Sequence, residues 1–231
     1  IYRYFKKKEI QFFNQADYTI SLTQAGKKEI LTWKSISQPI PIQVIPCCAD
    51  FNLFDYNKIN DSDTLKIREE LNIANDSYVL TYLGSIGTWY MLGEMLDFFI
   101  ELQKVKQDSV FVFITSDDPK SILREASKKK IDKKYFRIFS QPREKVPAYL
   151  SISNLSIFFI LPVFSKKASS PTKQGELMGM GIPIICNDFV GDTGKIMSEI
   201  DRELVLDKFE TAEYKRCIKH LIETPVNKEK I

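Results

Sequence analysis

From residue 78 onward, short apolar runs rich in β-branched and aromatic residues alternate with longer stretches of helical period. That is the pattern of a parallel sheet covered by helices. The runs predict strands at Tyr78–Leu83, Val110–Thr115, Tyr135–Ser140, Ser156–Leu161, Ile182–Cys186 and, more weakly patterned, Glu203–Leu206. Several are apolar at successive positions, as strands buried on both faces are. In Met91–Val105, residues Leu92, Met95, Leu96, Phe99, Leu102 and Val105 recur at three- and four-residue steps, one apolar helix stripe that belongs to a core. Further helices are predicted at Lys120–Lys130, Arg143–Ser151, Thr172–Met180, Thr193–Glu199 and Thr211–Glu223. Gly179 and Gly181 ahead of Pro183 fit a helix stop and a turn into the next strand.

The start of the chain is patterned differently, with a helix up to Gln15, a strand at Tyr18–Leu22 and a helix from Thr23 to about Trp33. Pro39, Pro41 and Pro46 then restrict their neighbours to extended conformations, as in a linker between compact units. Residues 1–45 therefore read as the end of one domain plus a linker. Residues 46–231 read as a second, nearly complete domain: α/β, a Rossmann-like doubly wound parallel sheet of about six strands with helices on both faces.

Hydrophobic residues at 44% and charged residues at 27% fit a folded globular chain and exclude a disordered or collagenous one. A net charge of +3 is too small for a nucleic-acid footprint, so no nucleic-acid partner is expected. Locally, Arg3, Lys6, Lys7 and Lys8 lie among Tyr2, Tyr4, Phe5, Phe12 and Phe13. Such a helix suits either a peripheral contact with an anionic membrane surface or an ordinary solvated face. Cys47, Cys48, Cys186 and Cys217 show no C-x-x-C spacing, and adjacent cysteines make an awkward disulfide, which fits a reducing cytoplasm. No apolar run approaches the roughly 20 residues that span a bilayer, and no signal-peptide pattern opens the chain.

In a doubly wound sheet, ligands bind beyond the carboxyl ends of the strands, so candidate chemistry is sought in the loops that follow them. Gly84-Ser85-Ile86-Gly87-Thr88-Trp89-Tyr90 places two glycines and two hydroxyls between a strand and a helix. It reads as a phosphate cradle or as an ordinary turn with a helix cap; it matches neither a dinucleotide fingerprint nor a Walker loop. Ser169-Ser170-Pro171-Thr172-Lys173-Gln174-Gly175-Glu176 is more distinctive, a hydroxyl-rich turn expected to cap a helix whose first turn carries Lys173. A cation is misplaced at a helix N-terminus unless an anion sits there too. Glu176 can accept hydrogen bonds from two vicinal sugar hydroxyls. Asp117-Asp118 is read chiefly as a helix cap, Cys186 as a buried structural thiol, and His220, the sole histidine, as remote from every candidate loop.

Ser170-Pro171-Thr172-Lys173-x-x-Glu176, followed by Gly181-Ile182-Pro183-Ile184-Ile185, resembles the donor-site motif of family-four retaining glycosyltransferases of the GT-B fold. Ile45-Pro46-Cys47-Cys48-Ala49-Asp50-x-x-x-Phe54 resembles their interdomain passage. Phe139-Ser140-Gln141-Pro142, Val146-Pro147-Ala148-Tyr149-Leu150 and Ser153-Asn154-Leu155-Ser156-Ile157 resemble the segments that lead to the donor site, so the likeness covers roughly residues 17 to 200. The resemblance implies the C-terminal half of a GT-B fold and a nucleotide-diphosphate sugar as donor. The base would lie near Gln141, the ribose on Glu176, and the pyrophosphate between Gly84, Ser85, Gly87, Thr88 and the turn Ser170, Pro171, Thr172 and Lys173. It implies neither metal nor cofactor, and a glycan or lipid-linked acceptor bound mainly by an N-terminal domain of which this chain holds only the end. The chain departs from the family at Ala168, where a second glutamate is usual, and at Ser85 and Tyr90, where a basic pair is usual. These departures keep open a non-catalytic nucleotide-binding module beside a transferase of bacterial surface polysaccharide or glycoconjugate synthesis; a nucleotide-sugar epimerase on the same fold is a further alternative.

Overall fold

The computed structural model describes residues 1–37, 40–224 and 231. At the N-terminal end, β1 (Thr19–Ser21) and β2 (Ile42–Val44) pair in parallel and are accompanied by helices α1 (Tyr2–Gln15) and α2 (Gln24–Leu31). Strand β2 lies in the passage expected to be a linker, which corrects that expectation between Pro41 and Pro46; Pro39 lies outside the described residues. Pro41 is tolerated because it sits just before the strand and contributes only its carbonyl, which accepts from the Thr19 amide at 2.9 Å.

The remainder of the chain runs α3 (Asp61–Glu70), β3 (Val79–Leu83), α4 (Leu92–Val105), β4 (Val110–Ile114), α5 (Pro119–Lys128), β5 (Phe136–Phe139), α6 (Val146–Leu150), β6 (Leu155–Phe158), α7 (Thr172–Gly179), β7 (Ile184–Asn187), α8 (Thr193–Asp201), β8 (Val205–Leu206) and α9 (Thr211–Glu223). Six strands form one sheet in the order β5-β4-β3-β6-β7-β8, with every neighbouring pair parallel. All residues of β3, β4, β6 and β7 are buried, the physical counterpart of their unbroken apolar runs. Pairing of β7 starts only at Ile184 because Pro183 has no amide to donate; its carbonyl accepts from Ser156 at 2.8 Å.

Three stretches differ from the sequence pattern for identifiable reasons. Helix α3 has no apolar stripe: Leu65 is exposed, and its buried face is Ile67 with Arg68, whose guanidinium donates to the carbonyls of Ala74, Ser77 and Ile152. The helix expected at Arg143–Ser151 is a 3₁₀ turn, Arg143–Lys145, followed by α6, with Pro147 in the first helical turn. In α4, Met95, Leu96, Phe99 and Leu102 are buried as their spacing predicts, while Val105 at the far end is exposed. Among the described residues no helix is long and apolar enough to cross a membrane.

Chain order reverses at β3, which has β4 on one side and β6 on the other. This is the switch point at which the loops after β3 and β6 part and leave a crevice. The N-terminal unit is fastened to the loops beside it. The Thr23 hydroxyl donates to the Lys167 carbonyl at 2.7 Å, and the Asp192 carboxylate accepts from the first amides of α2, Gln24 at 2.5 Å and Ala25 at 3.0 Å. Gly191 lets the loop after β7 close on this junction: its φ is +51°, and a methyl group there would overlap the Ser169 carbonyl oxygen and lie 2.9 Å from the Thr23 methyl. Gly191→Ala is therefore expected to lower unfolding stability by about 2 kcal/mol or more. Chemical denaturation followed by circular dichroism checks this, and an unchanged midpoint would show that the junction relaxes freely.

Candidate functional site

A cavity of about 230 Å³ opens at the carboxyl ends of β3, β4 and β5, with Phe54, Gly84, Ser85, Thr115, Gln141, Arg143 and Glu176 on its wall. It brings together four residues singled out from the sequence, Gly84, Ser85, Gln141 and Glu176, which come from two separate loops and one helix. Glu176 sits on α7 with its side chain 7% exposed, and Arg143 reaches it from the turn after β5 at 2.7 Å. The Arg143 guanidinium also lies over the Phe54 ring, 5.1 Å from its centre. Arg143 was not foreseen; the signal available was a basic side chain just beyond Gln141-Pro142, in a loop at the carboxyl end of a strand.

Helix α7 can carry Glu176 into this position because its outer face is made of glycine. A methyl on Gly175 would meet the Ala49 methyl at 3.2 Å, and one on Gly179 would come within 2.5 Å of the Phe54 carbonyl oxygen. The segment Ala49–Phe54 thus packs against the helix backbone and delivers Phe54 beneath Arg143. The N-terminus of α7 differs from expectation. Pro171 is the N-cap and no side chain caps the helix; the Ser170 hydroxyl instead accepts from the Cys47 amide at 3.1 Å, tying the turn to the interdomain passage. Thr172 begins the helix and is exposed.

Lys173 extends from the first turn of α7 to the underside of the glycine loop. Its ammonium lies 4.3 Å from the centre of the Tyr82 ring and 3.8 Å from that of Tyr90, and donates to the Tyr82 hydroxyl at 3.1 Å. It would be 3.3 Å from a methyl on Gly84, whose φ is +97°, so glycine at that position lets the ammonium approach the loop from beneath, although Lys173 is not itself on the cavity wall. Burial between the two rings lowers the Lys173 pKa to about 7, against the opposing pull of Glu176 and Asp117. Burial likewise raises the Tyr82 and Tyr90 phenols, which stay neutral donors and acceptors.

The loop itself needs correction. It does not run straight into a helix: a turn and an antiparallel bridge between Tyr90 and Ile160 intervene before α4 begins at Leu92. The Ile86 amide donates to the Asp117 carboxylate at 2.5 Å, and the Ser85 hydroxyl donates to it at 2.9 Å, so part of the expected anion cradle is already satisfied by the protein's own carboxylate. Gly87, at φ +48°, and Thr88 form an exposed turn away from the cavity wall. Of the pair Asp117-Asp118, only Asp118 caps α5, accepting from Lys120 at 2.9 Å. Cys186 is fully buried in β7, where burial raises its thiol pKa, and His220 pairs with Asp201 at 2.6 Å, on α9 and away from the cavity.

The model of the family described as glycosyl transferases group 1 matches residues 63–231. The chain belongs to that family. No curated protein matches it in sequence. Among solved structures, this chain is similar to Anabaena HepE in complex with UDP-glucose, with a TM-score of 0.71 at 16% identity over 94% of this chain and 57% of that one. It is also similar to WaaG, a glycosyltransferase involved in lipopolysaccharide biosynthesis, with a TM-score of 0.66 at 14% identity over 97% of this chain and 64% of that one. A third is an alpha,alpha-trehalose-phosphate synthase (UDP-forming) from Burkholderia vietnamiensis, with a TM-score of 0.69 at 10% identity over 97% of this chain and 56% of that one. At these identities the likeness is one of fold, that of the Rossmann-like GT-B half. The chain spans roughly three fifths of the length of the structures it matches.

Proposed function

We propose that residues 46–231 form the donor-binding half of a GT-B glycosyltransferase, and that residues 1–45 are the end of its acceptor-side domain and the linker. The donor is a nucleotide-diphosphate sugar, and the setting is the synthesis of bacterial surface polysaccharide or glycoconjugate on the cytoplasmic side, with the acceptor held mainly by the rest of the N-terminal domain. The basic, aromatic helix α1 is the part that would touch the inner membrane surface.

The observation that supports this reading is that one short helix carries a buried carboxylate on the cavity wall, Glu176, and, one turn earlier, an ammonium enclosed beneath the glycine loop, Lys173. The Glu176 carboxylate, aimed by Arg143, would accept from the two ribose hydroxyls, with the base reaching toward Gln141. Lys173, together with the uncapped start of α7 at Ser170, Pro171 and Thr172, would neutralise the diphosphate as it leaves, so no metal is called for. The family's usual lysine position is Tyr90 here, and the Lys173 ammonium lies against that ring, so the charge missing from the loop is restored in space from α7. With Ile86 donating to Asp117, we assign Gly84 and Ser85 a closer part in the diphosphate site than Gly87 and Thr88.

Calorimetry of the chain with nucleoside diphosphates tests donor binding, and transfer or hydrolysis of a labelled donor sugar by the full-length protein tests turnover. Binding with turnover is the expected result. Binding without turnover would instead favour a non-catalytic module, the reading that the departures at Ala168, Ser85 and Tyr90 keep alive. Absence of binding to any nucleoside diphosphate would sink the donor site altogether.

A further inference from the structure

Beyond the proposed donor cavity, the same edge of the sheet carries a feature that the nucleotide does not use. Trp89, Phe164 and Phe189, on the loops after β3, β6 and β7, are 43%, 60% and 64% exposed. Large aromatic side chains left this open at the carboxyl ends of three neighbouring strands are unusual for a solvated surface. Phe189 is also held at φ +67°, a strained conformation for a bulky residue. The loops are joined to one another: the Leu161 amide donates to the Trp89 carbonyl at 2.9 Å, and the Gly191 turn packs on Ser169.

Two lysines from the 3₁₀ turn Phe164–Ala168 lie on these rings, Lys166 at 4.5 Å from the centre of Trp89 and Lys167 at 5.2 Å from that of Phe164. They are not equivalent. Lys167 is neutralised by Glu29 of α2 at 2.8 Å, whereas no carboxylate among the described residues pairs with Lys166. An unpaired ammonium held on an indole face, with the exposed Phe164 two residues before it in the same 3₁₀ turn, matches a ligand with an apolar ring face and a negative charge.

We propose that Trp89, Phe164 and Lys166 form an acceptor subsite that takes an anionic sugar, one bearing a carboxylate or a phosphate. The inference rests on the donor reading given above, because it assigns the other side of the switch point to the nucleotide. The donor cavity lies over β3, β4 and β5, whereas this patch lies over β3, β6 and β7 and adjoins α2 through Lys167 and Glu29. The sugar ring packs on Trp89 and Phe164, and its charge meets Lys166.

The test is calorimetry on the UDP-saturated full chain with three probes: glucuronic acid, glucose phosphate and neutral glucose. Tryptophan fluorescence runs in parallel, since the chain has only Trp33 and Trp89. One or both anionic probes are expected to bind about tenfold more tightly than glucose and to change the fluorescence saturably, and the change should vanish in Trp89→Phe. Lys166→Ala should bring the anionic probes down to the level of glucose, and Phe164→Ala should weaken all probes by about fivefold, with UDP affinity unchanged in each variant. A response to glucuronic acid alone or to glucose phosphate alone names the charge. No saturable binding of any probe, or binding that Lys166→Ala leaves untouched, overturns the subsite. Failure of the unmodified chain to bind UDP or any other nucleoside diphosphate sinks the donor reading instead; the same titration without nucleotide then decides the patch by the same criteria.

Discussion

Glu176→Gln weakens the binding of a nucleoside diphosphate by about 1.5 to 3 kcal/mol, the scale of hydrogen bonds to a charged group. The substitution keeps the shape of the side chain but removes the charge and turns one accepting oxygen into a donating amide group, so the change reads the strength of the ribose contact. The Arg143 pairing makes a sharper forecast. Arg143 is 55% exposed at its side chain and can turn to water when its partner is neutralised, so the variant folds normally. Arg143→Ala then costs less than Glu176→Gln, because it loosens the aim of the carboxylate without removing it. In the double variant the loss from Arg143 largely disappears, since the two residues act through one contact. Isothermal calorimetry on the four proteins decides it; strictly additive losses would mean that Arg143 touches the nucleotide by a route of its own.

Affinity for an intact nucleotide sugar falls as pH rises through 7, by about tenfold per unit, and the slope is absent in Lys173→Met. The sign follows from the direction of the shift. Burial holds the Lys173 pKa at about 7 in the empty site, so the group is charged below that pH and increasingly neutral above it. A diphosphate beside the ammonium raises its pKa, and binding therefore takes up a proton whenever the pH lies between the empty and the occupied values. The loss continues until the occupied value is passed. An intact nucleotide sugar is the right probe because its diphosphate has no terminal phosphate ionising near pH 6, as a free nucleoside diphosphate has. A flat profile between pH 6 and about 9 would place Lys173 outside the electrostatic reach of the diphosphate.

Much of the sheet could be read from the chain because burial on both faces leaves long apolar runs that only a buried strand explains. Val79–Leu83 and Val110–Ile114 are of this kind. Helix α3 was hidden because its buried face is largely an arginine that satisfies backbone carbonyls, an arrangement with no periodic trace. Strand β2 was hidden by prolines that flank it, where they cost no ladder bond. At the site, Lys173 and Glu176 were legible as one unusual turn of helix, since a lysine at a helix start needs a reason. Arg143, Asp117 and the two tyrosines were not, because each acquires its role from a partner distant in sequence: Glu176, Ile86 and Lys173 respectively. The glycine loop was over-read for the same reason, since no local pattern reveals that a carboxylate from the loop after the next strand already accepts from its amide.

Asp192 belongs by sequence to the proposed donor half, yet its carboxylate supplies the missing acceptor for the opening amides of α2 in the preceding unit. The border drawn near residue 45 therefore separates two stretches of sequence without separating two independent folding accounts. Trimming the chain there would strip α2 of its anionic end-piece on one side and strand a carboxylate on the other, so shortened versions should lose cooperativity of unfolding at both edges of the cut.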